Sequence, residues 1–254
     1  MEIVRVKNDA YGRYEEALHR RDNLLKEAEL YNYGYIREFG DLIQKSFELK
    51  IECIKKKKEI AYCQRMANQG KKINRYDLVD FIEKEMDAYY KELAGIVEDV
   101  AASKKSRKLS SAKIKKIKEI YYRLAKLIHP DLHPDLAGDE VISEYWRRIM
   151  IAYTHNMLDE LEKLEFMVKT YLDENGIKPS DVEIPDIEGK IRAVEEEIHE
   201  ILTTVPYLYK LILSDEVSIG EQKQEYLNEI EAYREYSKQL SEVLDTFDIE
   251  EMLS

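Results

Sequence analysis

An all-α, elongated protein of about seven helices is predicted, with a helical hairpin embedded between helical arms. Three observations predict it. Only 14 of the 254 residues are Gly or Pro, so few turns can be built. Apolar residues recur at spacings of three and four along most of the chain. No stretch alternates at the period of two that a half-buried strand needs, and no repeat of fixed period occurs. Apolar residues at 44% and charged residues at 36% exclude collagen-like and low-complexity disordered classes.

The first arm covers residues 1–100. Tyr11 to about Lys58 reads as helix, with a break expected near Gly34 or Gly40, and the pattern continues to Gln69 until Gly70 stops it. Asn74 reads as an N-cap with Asp77 three residues on, near the positive end of the next helix. Leu78, Phe81, Ile82, Met86, Tyr89, Tyr90 and Leu93 form one face of that helix, which runs through Val100. The run Lys55 to Lys58 reads as solvated helix surface. Cys53 and Cys63 sit about 15 Å apart on one helix, beyond disulfide reach, so two reduced thiols of a cytoplasmic protein are expected. Met1 to Arg5 is no signal peptide, and the longest apolar run, Leu202 to Tyr209, is too short to span a bilayer.

Composition shifts at residues 101–172. Between Lys104 and Lys126 stand ten basic residues against one acidic, Glu119, although the whole chain carries a net charge of -12. Ser110-Ser111 offers an N-cap for a helix over residues 111–128. Ile114, Ile117, Tyr121, Leu124 and Ile128 share one face; Lys115, Lys116, Lys118, Tyr122, Arg123 and Lys126 lie off it. Pro130 and Pro134 force a loop over 129–138. A long helix is then expected over 139–172, with Ile142, Tyr145, Trp146, Ile149, Ala152 and Tyr153 as its buried stripe and Met157 at its margin. Two such helices pack as an antiparallel hairpin.

Asn175-Gly176 and Pro179 to Pro185 mark a linker over 173–186. A C-terminal helical hairpin is expected over 187–254: Ile187 to Thr204, an interruption at Pro206, a capping box at Ser218 and Glu221, and a last helix to about Phe247. Residues 186–254 hold 18 acidic and 6 basic side chains, so this region can mask the basic helix within the chain. The 19 tyrosines, as at Tyr31, Tyr33 and Tyr35 or Tyr226, Tyr233 and Tyr236, read as helix-seam packing, which is compatible with a homodimer.

Tyr121, Arg123, Leu124, Ala125, His129, Pro130 and Asp131, followed by Trp146, Ile149, Ala152 and Tyr153, resemble the J-domain of DnaJ-type co-chaperones over roughly residues 112–158. The resemblance implies a DnaK-type partner, of the seventy-kilodalton heat-shock class, whose ATPase is stimulated. It implies that His129, Pro130 and Asp131 are the trigger, with Lys118, Arg123 and Lys126 as electrostatic contacts and Lys115 and Lys116 as outliers. It implies no catalysis by this chain and no cofactor; the client is unknown. Tyr122 and Leu127 stand where the family often has a basic residue. The family's first helix has no counterpart just upstream; the end of the 74–100 helix, around Tyr89 to Gly95, is expected to serve. His133-Pro134-Asp135 reads as ordinary loop.

Other readings are weaker. The prolines prevent a helical His-x-x-x-His face, which argues against a metal at His129 and His133. No nucleophile or Gly-rich loop accompanies His129 and Asp131 for acid–base chemistry. Nucleic-acid binding through residues 104–126 is one alternative. A helical scaffold that keeps a J-like hairpin without stimulating any ATPase is another. The co-chaperone reading requires the loop to face outward: a tip walled off inside the protein, with no means of release, removes it.

Overall fold

The structure is a computed structural model that describes residues 2–105, 110–136, 138–177, 184–247 and 249–250. Arg107 and Lys108 of the basic run and Pro179 of the linker lie outside the described residues. Eight α-helices are found among the described residues: α1 (Glu2–Asn68), α2 (Arg75–Lys105), α3 (Ser111–Ile128), α4 (Glu140–Thr154), α5 (Leu158–Glu174), α6 (Ile187–Thr203), α7 (Tyr209–Ile212) and α8 (Glu216–Leu244). The all-α class expected from the sequence is the one observed. None of the described helices is long and apolar enough to cross a membrane.

The chain forms two compact units, and they do not follow the expected boundaries at 100 and 187. One comprises Met1–Asn32 and Arg107–Tyr209; the other comprises Tyr33–Ser106 and Lys210–Ser254. The expected N-terminal arm is therefore divided between the units, and so is the expected C-terminal hairpin, with α6 in the first and α8 in the second. Periodicity locates helices but carries no information about which distant helix covers each stripe.

In the second unit, the later part of α1 packs with α2 and α8. Ile51, Tyr62, Cys63, Ile73, Leu78, Ile82 and Met86 form one core; Cys53, Ile60 and Leu240 form another. Both cysteines are buried free thiols. A two-residue parallel ladder, Ile73 with Ile249 and Asn74 with Glu250, is a strand pairing too short to leave a periodic signal. The break expected near Gly34 or Gly40 is absent. A Cβ at Gly40 would stand 2.8 Å from Val100, and one at Gly34 would stand 3.0 Å from Leu213. These glycines admit close neighbours rather than interrupt the helix. Asp215, not Ser218, caps α8: its carboxylate accepts the N–H of Val217 at 3.0 Å and of Ser218 at 2.9 Å. An aspartate three residues upstream outcompetes the serine because its charge also suits the positive helix end.

In the first unit, α3, α4 and α5 surround a core of Ile117, Ile120, Tyr121, Leu124, Ile128, Ile149, Tyr153, Leu161, Leu164 and Val168 among others. Ser110 caps α3 as expected, accepting the Lys113 N–H. Ile114, placed on the buried stripe by periodicity, is exposed, because the stripe reaches its covering helices only from Ile117 onward. The single helix expected over 139–172 is broken. Asn156 takes a left-handed conformation (φ 58°), and the Met157 N–H bonds back to the Ala152 carbonyl at 2.8 Å, a Schellman turn that ends α4 and lets α5 fold back. Met157 itself is left exposed. Gly176 (φ 63°) ends α5 in the same way. The start of α1 and all of α6 form a second core with Tyr14, Leu18, Ile191, Val194 and Ile198, and Leu132 from the loop after α3 is buried in it.

Candidate functional site

Four forces fix the loop that joins α3 to α4. The His129 N–H continues the helical pattern onto the Ala125 carbonyl at 2.9 Å. Pro130 cannot continue the helix. The ring of His133 donates from Nε2 to the Lys126 carbonyl at 2.8 Å, which satisfies one of the orphan carbonyls at the end of α3. Leu132 is fully buried against α1 and α6. Asp139 then starts α4 by accepting the N–H groups of Val141 (2.9 Å) and Ile142 (3.1 Å), and its other oxygen accepts the Tyr171 hydroxyl at 2.9 Å.

His129, Pro130 and Asp131 do not present three side chains outward together. The His129 side chain is 1% exposed; it packs against Trp146 with ring centroids 4.6 Å apart. The expectation that this ring is offered to a partner is corrected: α1 covers it, and the sequence 112–158 contains no hint of that cover. Pro130 is exposed, and the Asp131 side chain is 42% exposed. His129 Nδ1 accepts the Asp131 backbone N–H at 3.0 Å, so the buried ring holds the exposed aspartate in place.

α1 brings a polar row to this spot. The Asp22 side chain is buried; it accepts Arg21 Nε at 2.9 Å and the Tyr121 hydroxyl. Its Oδ2 lies 3.6 Å from His129 Nε2. Burial alone would raise the Asp22 carboxyl, but His129, Arg21 and Tyr121 outweigh it and hold the group below its ordinary value. Burial and then Asp22 push the Tyr121 phenol up, so it remains a donor. Arg21 Nη1 also reaches Asp131 Oδ2 at 3.5 Å and Glu197 of α6 at 3.2 Å. Asn23 accepts the Tyr153 hydroxyl at 2.7 Å and donates to the Tyr122 hydroxyl at 2.8 Å. Lys26 donates to the Tyr153 carbonyl at 2.9 Å; burial and then Lys118 lower its amine to about 8. Asp22, Asn23 and Lys26 were not legible as site residues, because polar positions on a helix read as solvated surface until their cover is known.

The expected basic contacts divide into two sets. Lys115, Lys118 and Lys126 are exposed on α3; Lys118 lies 5.6 Å from the Tyr122 ring, and Lys115 stands 3.9 Å from Glu119. Lys116 and Arg123 are also exposed but pair with α5, Lys116 with Glu162 and Arg123 with Glu165 through two hydrogen bonds. The Arg123 bonds pull the Glu165 carboxyl down to about 2. Masking of the basic helix thus comes from α5, within the same unit. Lys104 belongs to α2 and pairs with Asp41, both within the second unit, whereas α3 belongs to the first. α2, expected to stand in for the family's first helix, is likewise in the other unit; the helix packed over the loop is α1.

No family model, curated protein or solved structure matches this chain.

Proposed function

We propose that this chain is a J-domain-type co-chaperone that docks on a DnaK-type chaperone and stimulates its ATPase. One observation carries the reading: the His-Pro-Asp loop joins two packed helices with Pro130 and Asp131 reaching solvent, beside the exposed cations Lys115, Lys118 and Lys126. The loop is therefore only half walled off. Cations on a convex helix steer an acidic partner surface and raise its rate of arrival more than its affinity. Asp131, fixed by His129, offers a carboxylate to a partner cation, and Pro130 stiffens the backbone between them. His129 acts through Asp131 rather than by touching the partner. The chain performs no bond chemistry in this role.

The test is the steady-state ATPase of a DnaK-type chaperone from the same source, alone and with the full chain or its His129→Gln and Asp131→Asn variants. Stimulation by the parent chain, lost in both variants, is the expected result. Equal rates in all four reactions remove the proposal.

The burial of His129 favours a second reading, a helical interaction scaffold whose hairpin stimulates nothing. Its partner would sit elsewhere, for which a cleft of about 440 Å³ between α1, α4 and α6, lined by Leu25, Met150, Glu197 and Ile201 among others, offers space. That reading expects no ATPase effect from any form and loss of partner binding on changing cleft residues.

A further inference from the structure

The segment that resembles a J-domain does not contain everything that shapes its own loop. His129 Nδ1 accepts an amide N–H, so that nitrogen carries no proton. In the neutral ring the proton is then on Nε2. Nε2 is buried and has no hydrogen-bond partner within bonding distance, and the charged atom it faces is Asp22 Oδ2 at 3.6 Å. An N–H there points its positive end at a carboxylate. The other tautomer would set a nitrogen lone pair against the carboxylate oxygens and would turn Nδ1–H against the Asp131 N–H. Both terms disfavour it, and in a dry site both are strong.

Asp22 is itself held as the charged form. Arg21 donates to Oδ1 and Tyr121 to Oδ2, and a protonated acid would accept well at only one of the two oxygens. The chain of contacts therefore runs from Asp22 through the two nitrogens of His129 to the backbone of Asp131. We propose that Asp22 is a positioning residue for the His-Pro-Asp loop: it selects the Nε2–H form of His129 and thereby fixes where Asp131 is presented. The purpose of that positioning rests on the co-chaperone reading; the tautomer and the loop geometry do not.

Histidine-selective ¹⁵N NMR of the full chain tests it, since only five histidines contribute and the His129→Gln variant assigns the signal. His129 is expected as the Nε2–H tautomer, with the Asp131 amide protected from exchange. In Asp22→Asn the ring is expected to become a mixture of tautomers, and Asp131 amide exchange to quicken by at least about tenfold. Tyr121→Phe removes a neighbour but keeps the carboxylate, so the tautomer is expected to hold. An Nδ1–H ring in the parent chain overturns the proposal. So does a folded Asp22→Asn chain with tautomer and exchange unchanged. Should Asp22→Asn fail to fold, an Nδ1–H ring in the parent or in Tyr121→Phe still overturns the proposal. Absence of ATPase stimulation with the Nε2–H ring intact removes the co-chaperone reading alone.

Discussion

Arg123 grips Glu165 with both arms of its guanidinium, Nε donating at 2.7 Å and Nη2 at 3.0 Å. The pair ties α3 to α5 and cancels one cation on the face that would meet a partner. Fork-to-fork geometry is the strong form of such a bond, but the Arg123 side chain is 51% exposed, so solvent screens it. A double-mutant cycle with Arg123→Gln and Glu165→Gln should give a coupling of order 1 kcal/mol. Because the folded-state carboxyl is depressed to about 2, this stabilisation is present above the ordinary glutamate value and is lost as pH falls towards 2. Urea midpoints at pH 6 and pH 3 should therefore differ less in Glu165→Gln than in the parent; an equal difference removes the assignment.

Lys26 predicts a second rise of stability with pH, at the alkaline end. Its folded-state amine is lowered to about 8, below the ordinary lysine value of 10.5. Between those values the unfolded chain binds more protons than the folded one, so stability rises with pH there. The buried tyrosines, with phenols pushed up, oppose this above pH 10, which leaves pH 8 to 10 as the window. The parent should gain on the order of 1–2 kcal/mol relative to Lys26→Met across it. Chemical denaturation at each pH reads the gain, and parallel curves for the two proteins would falsify it.

Leu132 is a core residue in the middle of a loop. Leu132→Ala should cost about 2–5 kcal/mol, as full removal of a buried leucine side chain does. The neighbouring Asp135, in a short 3-10 turn and exposed, should tolerate Ala with a change below about 0.5 kcal/mol. Comparable costs for the two would mean that the loop is not seated between α1 and α6.

Charge on α3 should govern association with an acidic partner. Glu162→Gln with Glu165→Gln frees Lys116 and Arg123, and should quicken docking at low salt. Lys118→Glu with Lys126→Glu should slow it. Both effects should shrink as ionic strength rises, since the groups are exposed. Stopped-flow association at two salt concentrations reads this, and salt-independent rates contradict it.

Helix α3 was legible to the residue because its signals are local: Ser110 at one end, Pro130 just past the other, and a stripe of period 3.6 between. The end of α4 had a local signal too, since Asn156 precedes Met157 and Leu158 as in a left-handed cap, but the apolar periodicity on either side concealed it. The cover over His129 had none. Asp22 meets Tyr121 across 99 positions, and nothing within α1 distinguishes Asp22 from the solvated acids around it. Leu132, flanked by prolines and aspartates, likewise carries no periodic mark of burial.

The seat of Leu132 bears on how this protein can be divided. A fragment trimmed to residues 112–158 would keep every amino acid by which the hairpin is recognised. It would lose Tyr14 and Leu18 on one side and Val194 and Ile198 on the other. A leucine and an imidazole that are dry in the whole chain would then meet water, and the turn would have no reason to keep its shape. Transplanting the hairpin into another protein would carry over its lettering without its grip.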